Sequence, residues 1–503
     1  MSHETVIGTR AGDEDLNARL AGYLSDVELD GVKTTGARLI DAAGGVDKLP
    51  GYTVMVAYGG GKDSTYVVAF VRAVQLHLAL GYGRTFVLRV ANMRHAGVPV
   101  AVMENIHRVY GALGLLDDPR AELLTIDHTQ VRPFRVDLPM PERMISINRV
   151  DVLMNGHRAA GDGRPTFCNS CNLSVADFYG RAAWFRGGVD AVMTGDSRRE
   201  QLLYSAWIRR LAKAVGVDVE EYRGMGFQGI LTALRGIGDA YFRELFGDGS
   251  EAELAEREVS TGDRSMQPEF ISIYDLVSYR VHDHWDLIVG FLGFQFDDLA
   301  FSFSESDCAN PNLMAHLRGL RSEYVLDREY DAGVSEYLRL AEELMRKKEM
   351  PDDLIRLALS RYDSPGKRAH RRKLSADFAL QAFGLTDDAL VAMVFSPFTD
   401  RGERLRAFLD RCHPSMSDQV DRLHRVLRGG TGCEGDTEAA SWLERVSGLT
   451  VAHLRTLYGS GLVNFTAHDS VISRVRADDP HKHRIETVDP VTGKPVFELV
   501  SGR

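Results

Sequence analysis

The chain has 503 residues, 44% of them hydrophobic, with a formal net charge of −11 and five cysteines. This size and apolar content supply core for two or three domains. The acidic balance disfavours a broad nucleic-acid footprint and favours small-molecule substrates, with tRNA as a disfavoured partner. Five unevenly placed cysteines are too few for a disulfide framework and fit a reducing compartment. With no apolar run of about eighteen residues and no basic-then-apolar leader, the expectation is a cytoplasmic protein with no membrane partner.

Residues 1–50 are charged and helix-prone, with an amphipathic stretch at 15–29, and end in the breakers Gly44-Gly45 and Pro50-Gly51; they read as a helical lead-in. From residue 51 the pattern alternates: strand 53–58, helix 64–80, strand 85–90, helix 98–113, strand 123–126, then helix 173–185, strand 191–194 and helix 200–215. Alternation at this spacing predicts an α/β fold, a doubly wound parallel sheet over 51–215 whose ligands sit beyond the carboxyl ends of the strands. Residues 216–310 read as an extension packing back on that sheet, with an exposed loop at 247–262 and packing elements at 269–286 and 287–296. Residues 311–503 read as mostly helical, for example at 335–350, 351–362 and 376–383. A terminal hairpin is expected at 484–500, turning around Asp489-Pro490-Val491-Thr492-Gly493.

The first strand runs into Gly59-Gly60-Gly61-Lys62-Asp63-Ser64-Thr65. Three glycines open backbone angles closed to other residues, so successive N–H groups can converge on an anion, and the following helix adds its unpaired amides. Phosphate is the natural guest. A Walker A loop needs Gly at 56 and Ser or Thr at 63, where the chain has Val56 and Asp63. A dinucleotide fingerprint fails because the glycines are contiguous and Ser64 stands where the third belongs.

The segment resembles the signature of the PP-loop ATP pyrophosphatases (adenine nucleotide alpha-hydrolase-like), Ser-Gly-Gly-x-Asp-Ser after the first strand. Gly60, Gly61, Lys62, Asp63 and Ser64 match, and Gly59 replaces the leading Ser. The resemblance implies a loop that grips the pyrophosphate of ATP while a substrate oxygen attacks the α-phosphorus. On this reading Gly59, Gly60, Gly61, Lys62, Ser64 and Thr65 bind nucleotide, with Asn92 near adenine or ribose. Thr194-Gly195-Asp196 is similar to the family's second nucleotide loop, with Asp196 in place of the usual His and Glu200 the next acid. Asp63 and Asp196 are the candidates to orient Mg2+ or the loop; helix capping by Asp196 or Ser197 is the structural alternative.

Cys168-Asn169-Ser170-Cys171 lies just before a predicted helix. Such a pair can chelate a metal from one turn, with His157 or Cys308 as further ligands, as Zn2+ or as an iron–sulfur cluster with an open iron. Redox or sulfur-carrying thiols, or a buried pair with no special role, are the other readings. The layout is similar to N-acetyl sugar amidotransferases and tRNA 2-thiolation enzymes. Cys412 and Cys433 read as core or surface thiols. His282-Asp283-His284-Trp285 reads as a second metal site or ordinary packing, and Lys367-Arg368-Ala369-His370-Arg371-Arg372-Lys373 as an RNA-phosphate contact or a solvated helix start.

The resemblance implies an enzyme that adenylates a carbonyl or carboxylate oxygen, releasing pyrophosphate, and then transfers ammonia or an amine. Lys62, Asp63, Ser64 and Asp196 are its expected catalytic residues, and a protein partner supplies ammonia or sulfur. The alternatives are an ATP-dependent sulfur transferase using Cys168, Cys171 and Cys308, and a non-catalytic nucleotide-binding regulator.

Overall fold

Thr53–Ala57 (β1) is a β-branched, apolar run with no polar alternation, the pattern of a strand covered on both faces. The computed structural model describes residues 8–195, 198–218, 226–260, 267–273, 277, 284–295, 311–347, 350–429, 436–477, 482–488 and 494–501. In it β1 lies inside a six-stranded sheet. Val87–Met93 (β2), Ala121–Asp127 (β3) and Gln130–Pro133 (β4) extend it on one side, Ala191–Thr194 (β5) and Glu269–Ser272 (β6) on the other, in the order β4-β3-β2-β1-β5-β6. Every pairing is parallel except β3 with β4, which turn through His128 at φ 51°. The chain is α/β with a mostly parallel sheet, as the alternation predicts.

Successive side chains of β1 point to opposite faces. Val54 and Val56 join a core with Asp26–Ala43 (α2), Lys62–Tyr82 (α3) and Val100–Ala112 (α4). Met55 joins another with Gly163–Trp184 (α6) and Gly226–Phe246 (α8). Among the described residues α3 is long and apolar enough to cross a membrane, yet 78% of its most apolar window is buried in the fold, so packing against the sheet accounts for its composition.

A third and larger core lies beyond α6. It joins Glu142–Arg158 (α5), α6 and α8 to helices running from Pro311–Leu320 (α10) through Asp387–Phe395 (α14) to Val471–Ala477 (α19). The described strands of the terminal hairpin, Lys482–Val488 (β7) and Pro495–Ser501 (β8), pair antiparallel; its expected turn lies outside the described residues.

Several elements differ from the expected bounds. The amphipathic stretch 15–29 is two helices, Asp13–Ala21 (α1) and α2, because Ser25 forms a capping box with Glu28 that starts a new helix. The glycine-loop helix begins at Lys62, with Gly61 as its cap, rather than at Ser64. The helix expected at 173–185 begins at Gly163, where the Asp162 side chain accepts from the Arg164 amide and Pro165 is tolerated in the first turn. Residues 247–262 are not an exposed loop as far as they are described: Glu251–Ala255 (α9) is helical, and Ser250, Leu254 and Val259 are buried. The helix expected at 376–383 starts at Pro365, capped by Ser364, so Pro365–Phe383 (α13) carries the whole basic run. β4 and β6 are strands the patterning does not reveal.

Candidate functional site

The carboxyl end of β1 is fixed by local hydrogen bonds before it enters the glycines. The Tyr58 amide donates to Ala91 O (2.8 Å), and Tyr58 O accepts from Asn92 Nδ2 (2.8 Å). The buried Tyr58 hydroxyl lies 3.0 Å from Thr65 Oγ1, closing the loop across its own base. On the far side, Gly61 O accepts from the Thr65 amide (2.9 Å), Thr65 Oγ1 (2.8 Å) and Ser64 Oγ (3.1 Å). Thr65 and Asn92 therefore brace the loop from beneath.

Gly60 has no substitute at its position. Its φ is +80°, and a Cβ there would lie 2.7 Å from Val102 Cγ1 and 3.2 Å from Ile106 on α4. Both the backbone sign and the close helix require glycine. Among the described residues the amides of Gly59, Gly60 and Gly61 donate to no protein acceptor. They stand at the amino end of a 21-residue helix, where unpaired N–H groups and the helix dipole favour an anion.

Lys62 is the nearby cation. Its side chain is only 12% exposed; Nζ lies 3.0 Å from Asp63 Oδ1 and 5.7 Å from the centroid of the Trp285 ring. The Asp63 side chain is 66% exposed. Its carboxylate is of the kind that would hold a hydrated Mg2+. The register Val56↔Met193 sets Thr194 and Gly195 beside Ala57 and Tyr58, at the point where the strand order reverses. Asp196 and Ser197 lie outside the described residues, as does the side chain of Glu200.

The neighbouring strand end is committed to structure. Asp127 is fully buried, receives Arg94 Nε and Nη2 (2.8 and 2.7 Å), and also pairs with Arg132. Arg94 in turn donates to Pro139 O (2.9 Å) and Leu138 O. His95, next along, is buried, and that burial holds its pKa down at about 4.

Cys168 and Cys171 lie within α6, not before it, at the i,i+3 spacing that puts both on one helix face. Cys168 is buried and its Sγ lies 3.7 Å from Arg164 Nη1; Cys171 is half-buried against the same core. His157 does not join them: it is fully buried against Phe398 at 5.4 Å, and burial, then the charge of Arg404, pulls its pKa down to about 3. Among the described residues no group of three or more His, Cys, Asp or Glu is placed to hold a metal, and Cys308 lies outside them. Two thiols alone do not complete a zinc or cluster site.

The remaining motifs resolve into packing where they are described. His284 is buried, stacked on Tyr66 at 3.8 Å and 2.7 Å from Glu28 Oε1, while His282 and Asp283 lie outside the described residues. The basic run on α13 is laced into ion pairs: Lys367 with Asp363, Arg372 with Glu323 and Lys373 with Asp377, while Arg371 lies over Tyr362. Cys412 is half-buried in the helical region, and Cys433 lies outside the described residues. Trp285, and the packing of Val102 and Ile106 against Gly60, have no local signature in the sequence. No protein-family model, curated protein or solved structure matches the chain.

Proposed function

We propose that the glycine loop binds the triphosphate of ATP and that the protein is an ATP-dependent adenylating enzyme on a doubly wound, PP-loop-type sheet. The observation that carries this reading is the row of three amides at Gly59–Gly61. They are unengaged by described protein groups and seated at the amino end of α3 beside a strand-order reversal. In this reading those amides and Lys62 neutralise the charge that grows on the departing pyrophosphate, and Ser64 adds a hydroxyl contact. The work is electrostatic and done by groups fixed in advance. Mg2+ held by Asp63, with Asp196 as a second candidate, offsets phosphate charge when bound. Thr194 and Gly195 form the opposite wall. A carbonyl or carboxylate oxygen of a small substrate attacks the α-phosphorus, and ammonia or an amine delivered by a partner protein then expels AMP.

The C-x-x-C on α6 keeps sulfur transfer as the second reading, with Cys168 beside a guanidinium rather than in a purely apolar setting. Pyrophosphate release from ATP, screened against amino acids, nucleosides, sugars and tRNA, tests the proposal. Release that depends on a carboxylate or carbonyl acceptor plus ammonia is the expected result. Release that requires a sulfur donor favours the second reading. ATP binding with no release under any acceptor favours a nucleotide-binding regulator.

A further inference from the structure

α10 does not end at Leu320 but widens into a π-type turn, Arg321–Val325, a geometry that is uncommon and recurs at functional sites. The chain then passes through Asp327 at φ 53° into Tyr330–Lys347 (α11). Gly319 lets the two helices meet closely, because a Cβ there would run into the Tyr330 ring. Tyr330 is fixed from both sides: its hydroxyl lies 2.8 Å from His316 Nδ1, and the Arg372 guanidinium lies 4.2 Å from its ring centroid. Residues 327–331, Glu323, one face of α13 and Arg411 of Leu405–Cys412 (α15) border a cavity of about 710 Å3. Its described lining includes no residue of the sheet or of the glycine loop.

The lining carries four arginines and four acidic residues. Three of the guanidinium groups are engaged across the cavity and hold its walls in place. Arg372 pairs with Glu323 and Arg411 with Asp327, each at 2.7 Å, while Arg368 donates to Tyr362 O (2.9 Å) and Ser335 Oγ (3.0 Å) and lies 3.7 Å from Asp331. Two consecutive residues of opposite charge are left over. Arg328 is anchored to Glu336 through Nη2 (2.8 Å), and its Nη1 is buried with no acceptor. The exposed Glu329 carboxylate meets no hydrogen-bond or ion-pair partner among the described residues. A buried donor without a partner is the exception in a folded protein.

The charges of the lining sum to zero, which decides the class of guest. A simple anion entering the cavity meets four carboxylates and a simple cation meets four guanidinium groups, so each is repelled as strongly as it is attracted. A molecule that carries one carboxylate and one ammonium group on a short frame adds no net charge and satisfies the leftover donor and the leftover acceptor together, through charge-assisted hydrogen bonds. The volume lies in the range of roughly 300–1,000 Å3 usual for small-molecule sites. We propose that this cavity binds a free α-amino acid, its carboxylate on Arg328 and its ammonium on Glu329. The inference does not rest on the ATP reading.

Calorimetric titration of the full chain with each of the twenty common amino acids tests it, with inorganic phosphate and putrescine as the anion-only and cation-only probes. At least one amino acid is expected to bind with Kd below about 1 mM, and its N-acetyl and amide derivatives, which each lack one charge, at least about tenfold more weakly. Glu329→Gln changes an exposed, unpartnered side chain and should weaken that binding about tenfold with an unchanged melting temperature; Arg328→Gln should weaken it by a similar factor. Absence of binding by every amino acid overturns the proposal, as does tighter binding of phosphate or putrescine, equal binding of the derivatives, or unaltered binding in Glu329→Gln. ATP affinity is expected to be the same in Glu329→Gln and wild type, so a wild-type protein that binds no ATP sinks the ATP reading and leaves the amino-acid result to be judged by itself.

Discussion

The amino end of the sheet and the glycine loop beyond β1 treat their polar groups in opposite ways. At the amino end, beneath β2 and β3, Arg120 spans Asp118 (2.7 and 2.9 Å) and Asp13 (2.8 and 2.9 Å), and Arg72 adds Asp118 (2.8 Å) and Leu113 O (3.1 Å). Gln75 closes the network onto Phe86 O and Arg120 O. At the carboxyl end, three glycine amides in a row meet no acceptor among the described residues, and the one close cation is shared between an exposed carboxylate and an aromatic ring. Buried polar groups normally find partners within the fold. The amino-end network satisfies its own polar groups, whereas the glycine amides are left to partners outside the described protein groups.

The contrast breaks first at the amino end. Asp118→Ala removes the carboxylate shared by two buried guanidinium groups, leaving Arg120 with Asp13 and Arg72 with Gln75 and Leu113 O, and is expected to cost about 3 kcal/mol, read by denaturant unfolding, without selective loss of ATP binding. A cost below about 1 kcal/mol means that the network is not the structural anchor described. Next is Gly60→Ala, which places a Cβ against Val102 on a left-handed backbone. It should cost about 1–3 kcal/mol and weaken ATP binding at least about tenfold in the same protein.

Burial raises the pKa of Glu28, but hydrogen bonds from His284, Tyr66 and Ser25 outweigh it and hold the carboxyl at about 2, against an ordinary 4.5. Burial likewise opposes ionisation of Asp118, and Arg120 and Arg72 outweigh it, leaving the group well below the usual carboxylate range. Both folded values are depressed. Their stabilisation is fully present above the unfolded values, 4.5 and 3.8, and is lost as pH falls through the folded ones. Stability measured from pH 6 downward should already decline, because His95 and His157 stay neutral in the fold while the unfolded chain protonates them, and should fall more steeply below about 4.5, with a shallower fall in that lower range in Glu28→Gln. The smallest stability effect is expected for Asp63→Ala, under about 0.5 kcal/mol because the side chain is exposed, with turnover down on the order of 100-fold. Unchanged turnover removes Asp63 from the mechanism.

The glycine loop was the legible one, because its signal is contiguous. An apolar strand, three glycines and an amphipathic run define strand, turn and helix within residues 53–82, and the helix start is displaced only from Ser64 to Lys62. What brought the rest together was distant in sequence. β6 is four residues long and is a strand because Asp190 and β5 are there to pair with it. The C-x-x-C helix begins early because Asp162 caps it and α5 packs along it, which outweighs the weak helix preference of Asn169 and Ser170. Trp285 reaches Lys62 only through a turn seated on α3 and clamped by Glu28, from the opposite end of the sheet-forming chain. Local pattern cannot report contacts of that kind.

The most direct test is a crystal structure of the full chain with a non-hydrolysable ATP analogue and Mg2+. The account predicts phosphate oxygens within hydrogen-bond reach of the Gly59, Gly60 and Gly61 amides, with Lys62 Nζ turned from Asp63 onto the phosphates. A nucleotide seated elsewhere, or a glycine loop left empty at saturating analogue, contradicts it.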